Sequence, residues 1–327
     1  RYHLFARKRA AHALLDELQP DVIEGSSTWR GAWIARSWPG PAARALFLHQ
    51  DPVAVYPQSF LSPALRADRV DQLFAGFWRY LAKLSAGFDV TIAPSAVFAR
   101  RLERHGVLRS IACPLGVDRA LFSPGLRDEN VRFEMLSACG VSDPAAPLFV
   151  AVSRHHPEKR LPMMMRAFAK FSADRAAALY LIGDGPLWRS VTAQARRIPG
   201  VAVAGPVTDR AVIAARLASA DYFVHGGAAE TFGLVVAEAL ASGVPIITPD
   251  QGGASEFVHP AFGEAYRAGD AEALAAALAR IVNRDRRELS LAARAGGHRL
   301  VTPSEHFANL FAVYGGLCGA RRERIAA

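Results

Sequence analysis

The chain has 327 residues, of which 51% are hydrophobic and 21% charged, which excludes a disordered, collagen-like or disulfide-held small protein. Its net charge of +9 is shared almost equally between residues 1–144 and 145–327, and no zinc-finger, RNP or basic-region pattern is present, so we predict no nucleic-acid partner. No apolar run approaches the roughly 18 residues of a membrane-crossing helix, and the length suggests about two domains.

Short β-branched runs alternate with helical patterns along most of the chain. The predicted strands are residues 21–24, 45–49, 90–93, 148–152, 178–182, 201–204, 222–225 and 244–248. The predicted helices are residues 162–172, 186–197, 208–219, 233–242 and 271–282. Thr208 or Asp209 is the expected N-cap of the third helix. Such alternation predicts an α/β fold with parallel sheets that carry helices on both faces.

A break in periodicity at residues 140–147 divides the chain into two halves. The later half has the pattern of a complete doubly wound domain, whereas the earlier half begins inside a helical pattern and offers about four strands. We therefore predict a less complete N-terminal α/β domain over residues 1–144 and a doubly wound domain over residues 145–302. Residues 303–327 form the remaining C-terminal segment.

The loops beyond the carboxyl ends of the strands are the candidate ligand sites, because doubly wound sheets bind ligands there. Arg154 and Lys159 follow the strand at 148–152 and precede a helix. Cations at that position oppose the helix dipole, which favours an anion-binding role over the alternative of a solvated basic loop. Lys159 is also one of only four lysines, beside 35 arginines, which favours a specific use for it.

A glycine-rich loop, residues 226–233, follows the strand at 222–225 and leads into a helix. Free N–H groups at the start of that helix are suited to hold a phosphate. Glu230 precedes the helix and Glu238 lies about one and a half turns inside it. The two carboxylates are therefore placed to bracket a nucleotide sugar, and a second Gly-Gly loop at residues 250–256 is suited to line the same cleft.

Residues 230–238 resemble the E-x7-E motif of the retaining glycosyltransferases of family 4, the group 1 glycosyltransferases. The resemblance extends from about residue 20 to about residue 300 and includes residues 93–95, 114–118, 181–186, 239–245 and 250–256. It implies a GT-B fold, in which two Rossmann-like domains enclose an interdomain cleft and the final helix, here residues 303–317, crosses back to the first domain. Members of the family usually open with a strand and a glycine-rich loop that this chain lacks, which makes activity of the chain by itself an open question.

The resemblance also implies roles for individual residues. Arg154 and Lys159 are expected to contact the diphosphate, and Glu230 to hold hydroxyls of the donor sugar. His49 is expected to contact the sugar or the acceptor, the alternative being an ordinary strand-end histidine. Glu238 is expected to hold the ribose. Backbone groups complete the predicted nucleotide-sugar site, with Gly205 and Val207 beside the base, and Phe232, Gly233 and Leu234 facing sugar and phosphate.

The resemblance implies transfer of a hexose of mannose or glucose type from a GDP- or UDP-sugar to a glycan or lipid-linked acceptor, with retention of configuration. It also implies that no cofactor or metal is needed, because arginine and lysine neutralise the leaving diphosphate. Three widely spaced cysteines predict neither a disulfide framework nor a zinc site and favour a cytoplasmic location, with peripheral contact to the inner face of the plasma membrane left open. The alternatives are a sucrose- or trehalose-type synthase, and a non-catalytic nucleotide-sugar-binding or scaffold protein derived from a truncated transferase.

Overall fold

The computed structural model describes residues 7–61 and 67–326. Its strands form two parallel sheets. The first sheet has the order β1-β2-β3-β4 and consists of β1 (Val22–Gly25), β2 (Ala43–Phe47), β3 (Val90–Ala93) and β4 (Ser110–Ala112). The second has the order β10-β9-β8-β5-β6-β7 and consists of β5 (Leu148–Val152), β6 (Ala178–Ile182), β7 (Val201–Val203), β8 (Tyr222–Val224), β9 (Ile246–Pro249) and β10 (Gly263–Tyr266). The α/β class with parallel sheets is confirmed.

Helices connect the strands. In the N-terminal part they are α1 (Lys8–Leu18), α2 (Arg30–Ser37), α3 (Ser59–Leu61), α4 (Ala67–Leu73), α5 (Ala75–Ser85), α6 (Ala96–Arg104) and α7 (Glu129–Ala138). In the C-terminal part they are α8 (Leu161–Phe171), α9 (Trp188–Ala195), α10 (Arg210–Ser219), α11 (Leu234–Ala241), α12 (Ala271–Val282), α13 (Arg286–Gly297) and α14 (Pro303–Ala326). None of the helices in the described part of the chain has both the length and the apolar composition that crossing a bilayer requires.

Alternate residues of each strand in the second sheet point to opposite faces, and helices cover both faces, so both sets of side chains are buried. On β5, Leu148 and Val150 pack into a core shared with Leu136 of α7 and Leu240 of α11. Phe149, between them, packs into the opposite core, which α8 and α12 cover. This arrangement explains why the strands of this half read as continuous apolar runs.

The strand order of the second sheet fixes where a ligand can bind. The chain runs outward from β5 to β7, then returns to β8 on the other side of β5 and runs outward to β10. The order reverses between β5 and β8, and in doubly wound sheets a ligand-binding crevice lies beyond the carboxyl ends of the strands at such a point. Arg154 and Lys159 follow β5, and residues 225–233 follow β8.

Two connections join the sheets. Helix α7 precedes β5 in the chain but packs against the second sheet, through Met135 and Leu136. Helix α14 follows the second sheet in the chain but packs against the first, where Leu310 shares a core with Phe47 and Ile92. The two connecting segments lie side by side, and the N–H of Val117 donates to the carbonyl of Val301 at 2.8 Å. The division at residues 144 and 302 remains a proposal.

Candidate active site

The loops after β5 and β8 touch through glycine. A Cβ on Gly226 would lie 2.3 Å from the carbonyl oxygen of Lys159, so only glycine permits this approach of the two backbones. A Cβ on Gly227 would lie 3.4 Å from the Lys159 side chain. The glycine-rich sequence after β8 therefore brings the predicted phosphate-binding lysine into the crevice.

Glu230 is the centre of the charged cluster in this crevice. Its carboxylate accepts a hydrogen bond from the Lys159 ammonium, and its Oε1 lies 3.3 Å from Nε2 of the buried His225. Burial acts to raise the pKa of Glu230, but the hydrogen bonds and charges of His225 and Lys159 outweigh it and hold the pKa well below its ordinary value. Glu230 is therefore ionised at neutral pH and can accept hydrogen bonds from hydroxyl groups.

Arg154 joins the same cluster through Glu158. Its guanidinium lies 3.2 Å from Oε1 of Glu158, and the Lys159 ammonium lies 3.6 Å from the same oxygen. The Glu158 side chain is buried, whereas the Arg154 side chain is 71% exposed. The two predicted diphosphate ligands thus share one carboxylate, and Arg154 is free to move toward an anion in the crevice.

Helix α11 begins at the floor of the crevice. Gly233 has φ +95°, a conformation that residues with a Cβ rarely adopt, and a Cβ there would lie 2.9 Å from the Cβ of Ala254. Among the described residues, no side chain caps this helix start. Phe232 is buried, and Leu234 is 39% exposed at the first helical position. The unpaired N–H groups of the first turn are therefore available to a bound anion.

Glu238 lies in the same helix with an almost buried side chain. Its Oε1 accepts a hydrogen bond of 2.6 Å from the Arg210 guanidinium, at the start of α10. Burial raises the pKa of Glu238 above its ordinary value, and Arg210 only partly offsets this effect. The loop that contains Gly205 and Val207 lies shortly before Arg210 in the chain and leads from β7 into α10.

The first sheet reaches the crevice through His49. The Thr231 hydroxyl donates to the His49 carbonyl oxygen at 2.7 Å, so the residue next to Glu230 contacts the opposite domain directly. The His49 ring stacks on Phe47 with centroids 4.1 Å apart. Burial is the main cause that lowers the pKa of His49, which favours the neutral ring. The ring's predicted contact with sugar or acceptor remains a prediction.

The structure brings Lys159 and Glu230 into direct contact, places Arg154 beside them, and places His49 across the crevice. It shows further participants that the sequence analysis did not identify, namely Glu158, Arg210, His225 and Thr231. His225 ends a predicted strand just before the glycine-rich loop, and that position was its only sequence signal. Within the described residues, no group of three or more His, Cys, Asp or Glu side chains is arranged to hold a metal ion.

Two proteins of known structure have this architecture. Sucrose-phosphate synthase from Thermosynechococcus elongatus superposes with a TM-score of 0.77 at 21% identity, over 96% of this chain and 77% of that one. Anabaena HepE, in complex with UDP and glucose, superposes with a TM-score of 0.72 at 18% identity, over 94% and 79%. The chain thus has the GT-B fold of glycosyltransferases.

Residues 146–284 match the family described as glycosyl transferases group 1. The matched residues contain all six strands of the second sheet. A GDP-mannose-dependent alpha-mannosyltransferase of Mycolicibacterium smegmatis is 35% identical over 56% of this chain and 45% of its own length. A GDP-mannose-dependent alpha-(1-6)-phosphatidylinositol dimannoside mannosyltransferase of Mycobacterium tuberculosis is 28% identical over 87% and 71%. The chain thus spans less than half of the first relative.

Proposed function

We propose that the chain transfers a hexose from a nucleoside diphosphate sugar with retention of configuration. The observation that carries the proposal is the contact between the Glu230 carboxylate and the Lys159 ammonium, beside the start of α11. This arrangement offers a carboxylate to sugar hydroxyls and positive charge to a diphosphate within one crevice. Glu238, further along the same helix, offers a second carboxylate to the ribose.

The proposed reaction uses the chain's own cations in place of a metal. Lys159 and Arg154, with the N–H groups of Phe232, Gly233 and Leu234, hold the diphosphate as its charge increases. In a same-face displacement the sugar–phosphate bond breaks, the acceptor oxygen bonds to the sugar on the same face, and the leaving phosphate accepts the acceptor's proton. Glu230 orients the sugar and does not act as a nucleophile.

The proposed donor is GDP-mannose, with a UDP-sugar as the alternative, because two mannosyltransferase relatives are named as GDP-mannose-dependent. The acceptor that we propose is lipid-linked, since the name of the second relative includes phosphatidylinositol dimannoside. The cytoplasmic location, with peripheral contact to the inner face of the plasma membrane, belongs to the same proposal. Stabilisation of the chain by GDP, UDP or ADP in a thermal-shift panel identifies the base.

Two lysines provide a matched test of the site. Lys159→Ala should weaken nucleoside diphosphate binding at least tenfold in calorimetry, because it removes a charge-assisted contact. Lys170→Ala is the control, since Lys170 is exposed on α8 and pairs with Glu272 outside the crevice. Equal affinities of the two variants would contradict the proposed diphosphate site.

A transfer assay separates the enzyme from a non-catalytic binding protein. Glu230→Ala should lower the rate of sugar transfer by about 10²–10³-fold, as expected when one preorganised electrostatic contact is lost. A wild-type chain that binds the nucleotide but transfers no sugar would support the scaffold alternative. A Glu230→Ala variant as active as the wild type would exclude the proposed role of Glu230.

A further inference from the structure

Arg210 contacts the carboxylate that is proposed to bind the ribose, although no sequence motif marks it. We propose that Arg210 is a positioning residue, which orients the Glu238 carboxylate for the ribose hydroxyls of the bound nucleotide. The inference rests on the proposed function and adds a residue to it. Arg210 is the first residue of α10, shortly after the loop with Gly205 and Val207, so it connects the proposed base and ribose regions.

The Arg210 side chain packs on an aromatic ring. Its guanidinium lies over the ring of Phe122, 4.9 Å from the centroid, and Phe122 is fully buried. A guanidinium on an aromatic face is held in place without losing its hydrogen-bond donors. The Arg210 side chain is 53% exposed, so the aromatic contact restricts its orientation while part of the side chain stays accessible.

The two oxygens of Glu238 are used differently. Oε1 accepts the 2.6 Å hydrogen bond from Arg210, while Oε2 accepts none from the residues that the structure describes. Only 5% of the Glu238 side chain is exposed, so its carboxylate has little freedom to turn. With Oε1 occupied, Oε2 is the oxygen left to accept a hydrogen bond from a ribose hydroxyl.

Arg210 also favours the ionised form of Glu238. Helix α11 packs against α10, α13, β9 and the turn at Gly253–Phe257. Of the charged groups on these elements, Arg210 alone acts on the pKa of Glu238 within the described part of the chain, and it lowers it. Without Arg210, burial would raise the pKa of Glu238 further, and the protonated fraction would increase as the pH falls.

The test compares nucleotides with and without ribose hydroxyls. GDP and UDP, each beside its 2′,3′-dideoxy form, are titrated calorimetrically into the wild type, Arg210→Ala and Arg287→Ala. Arg287 is an exposed arginine of α13 and controls for the loss of one positive charge. We expect Arg210→Ala to bind the ribonucleotide about tenfold more weakly, with less than a twofold change for the dideoxy form. The loss should be larger at pH 6 than at pH 8, and Arg210→Lys should restore part of the affinity.

The outcomes are distinguishable. If the wild type binds neither GDP nor UDP, the proposed function fails and the inference fails with it. If the wild type binds but Arg210→Ala loses equal affinity for both members of a pair, Arg210 acts through general structure or charge, and the inference is overturned. An unchanged Arg210→Ala affinity for both members overturns it as well.

Discussion

Glu230 and Glu238 belong to one short segment of chain but have opposite pKa shifts. Glu230 is held by a lysine and a histidine, so its pKa is lowered in spite of burial. Glu238 has one partner, a half-exposed arginine, so the effect of burial dominates and its pKa is raised. Two carboxylates with different proton affinities suit different tasks, and the charge of Glu230 is the more securely maintained of the two.

Another buried charge network supports the opposite wall of the crevice. Arg101 contacts Asp51 through Nε and forms two hydrogen bonds of 2.8 Å to Asp71. Asp51 is 3% exposed and also accepts the backbone N–H groups of Val53 and Ala54, at 3.0 and 2.9 Å. The network thus fixes the segment that follows His49.

Replacing Arg101 should destabilise the protein strongly. Arg101→Ala leaves the buried Asp51 and the partly buried Asp71 without their cation, and the free energy of unfolding should fall by about 3–5 kcal/mol in urea denaturation. Arg104→Ala, an exposed arginine of the same helix, should change it by less than about 0.5 kcal/mol. Equal losses in the two variants would show that the Asp51–Arg101–Asp71 network does not contribute to stability.

Contacts of this kind could not be predicted from the sequence. The E-x7-E spacing identified both glutamates, and the rarity of lysine singled out Lys159. No motif marks their partners His225, at the start of the same loop as Glu230, and Arg210, which lies 28 residues before Glu238 at the start of α10. Their roles follow from the meeting of strand ends in three dimensions, which periodicity does not describe.

Secondary structure was predictable where an apolar period or a cap marked it. Helix α12 has the predicted bounds, and its N-cap Asp270 accepts hydrogen bonds from two N–H groups of the first turn. Strands β4 and β10 were not assigned, and both are sheet edges with weaker apolar patterns. The element with the most direct functional consequence is α11, because its first turn combines a positive φ with unpaired N–H groups.

Two glycine substitutions distinguish the effect of the positive φ at the start of α11 from the general effect of alanine on helix stability. Gly233→Ala should lower the free energy of unfolding by at least about 1 kcal/mol and weaken nucleotide binding, since alanine tolerates neither the positive φ nor the contact with Ala254. Gly315→Ala, within α14 where a Cβ meets nothing within 4 Å, should stabilise the protein by about 0.5–1 kcal/mol. A stabilising Gly233→Ala would contradict the strained helix start. Urea denaturation and calorimetry measure both effects.

At the scale of the whole molecule, direct hydrogen bonds join the two sides of the crevice. The Thr231 hydroxyl donates to the His49 carbonyl oxygen, and the Glu256 carboxylate accepts the N–H of Val97 in the first turn of α6. Both contacts start from loops of the second sheet that follow β8 and β9. The position of the first domain is thereby tied to the loops that are proposed to bind the donor.

Removing these contacts should open the crevice. The double variant Thr231→Val, Glu256→Ala should have a larger radius of gyration than the wild type in small-angle scattering, with unchanged secondary structure by circular dichroism. The reason is that small interdomain interfaces leave domains free to rotate unless specific contacts hold them. Scattering curves identical to those of the wild type would show that the two hydrogen bonds do not set the interdomain angle.

The packing of α14 on the first sheet affects the order in which the protein folds during synthesis. Leu310 completes the core formed by Phe47 and Ile92, yet the ribosome adds it more than 200 residues after Ile92. At a synthesis rate of about 5–20 residues per second, the face of β2 and β3 that α14 covers stays exposed for roughly 10 to 40 s. Co-translational folding therefore completes the first sheet last, although its strands leave the ribosome first.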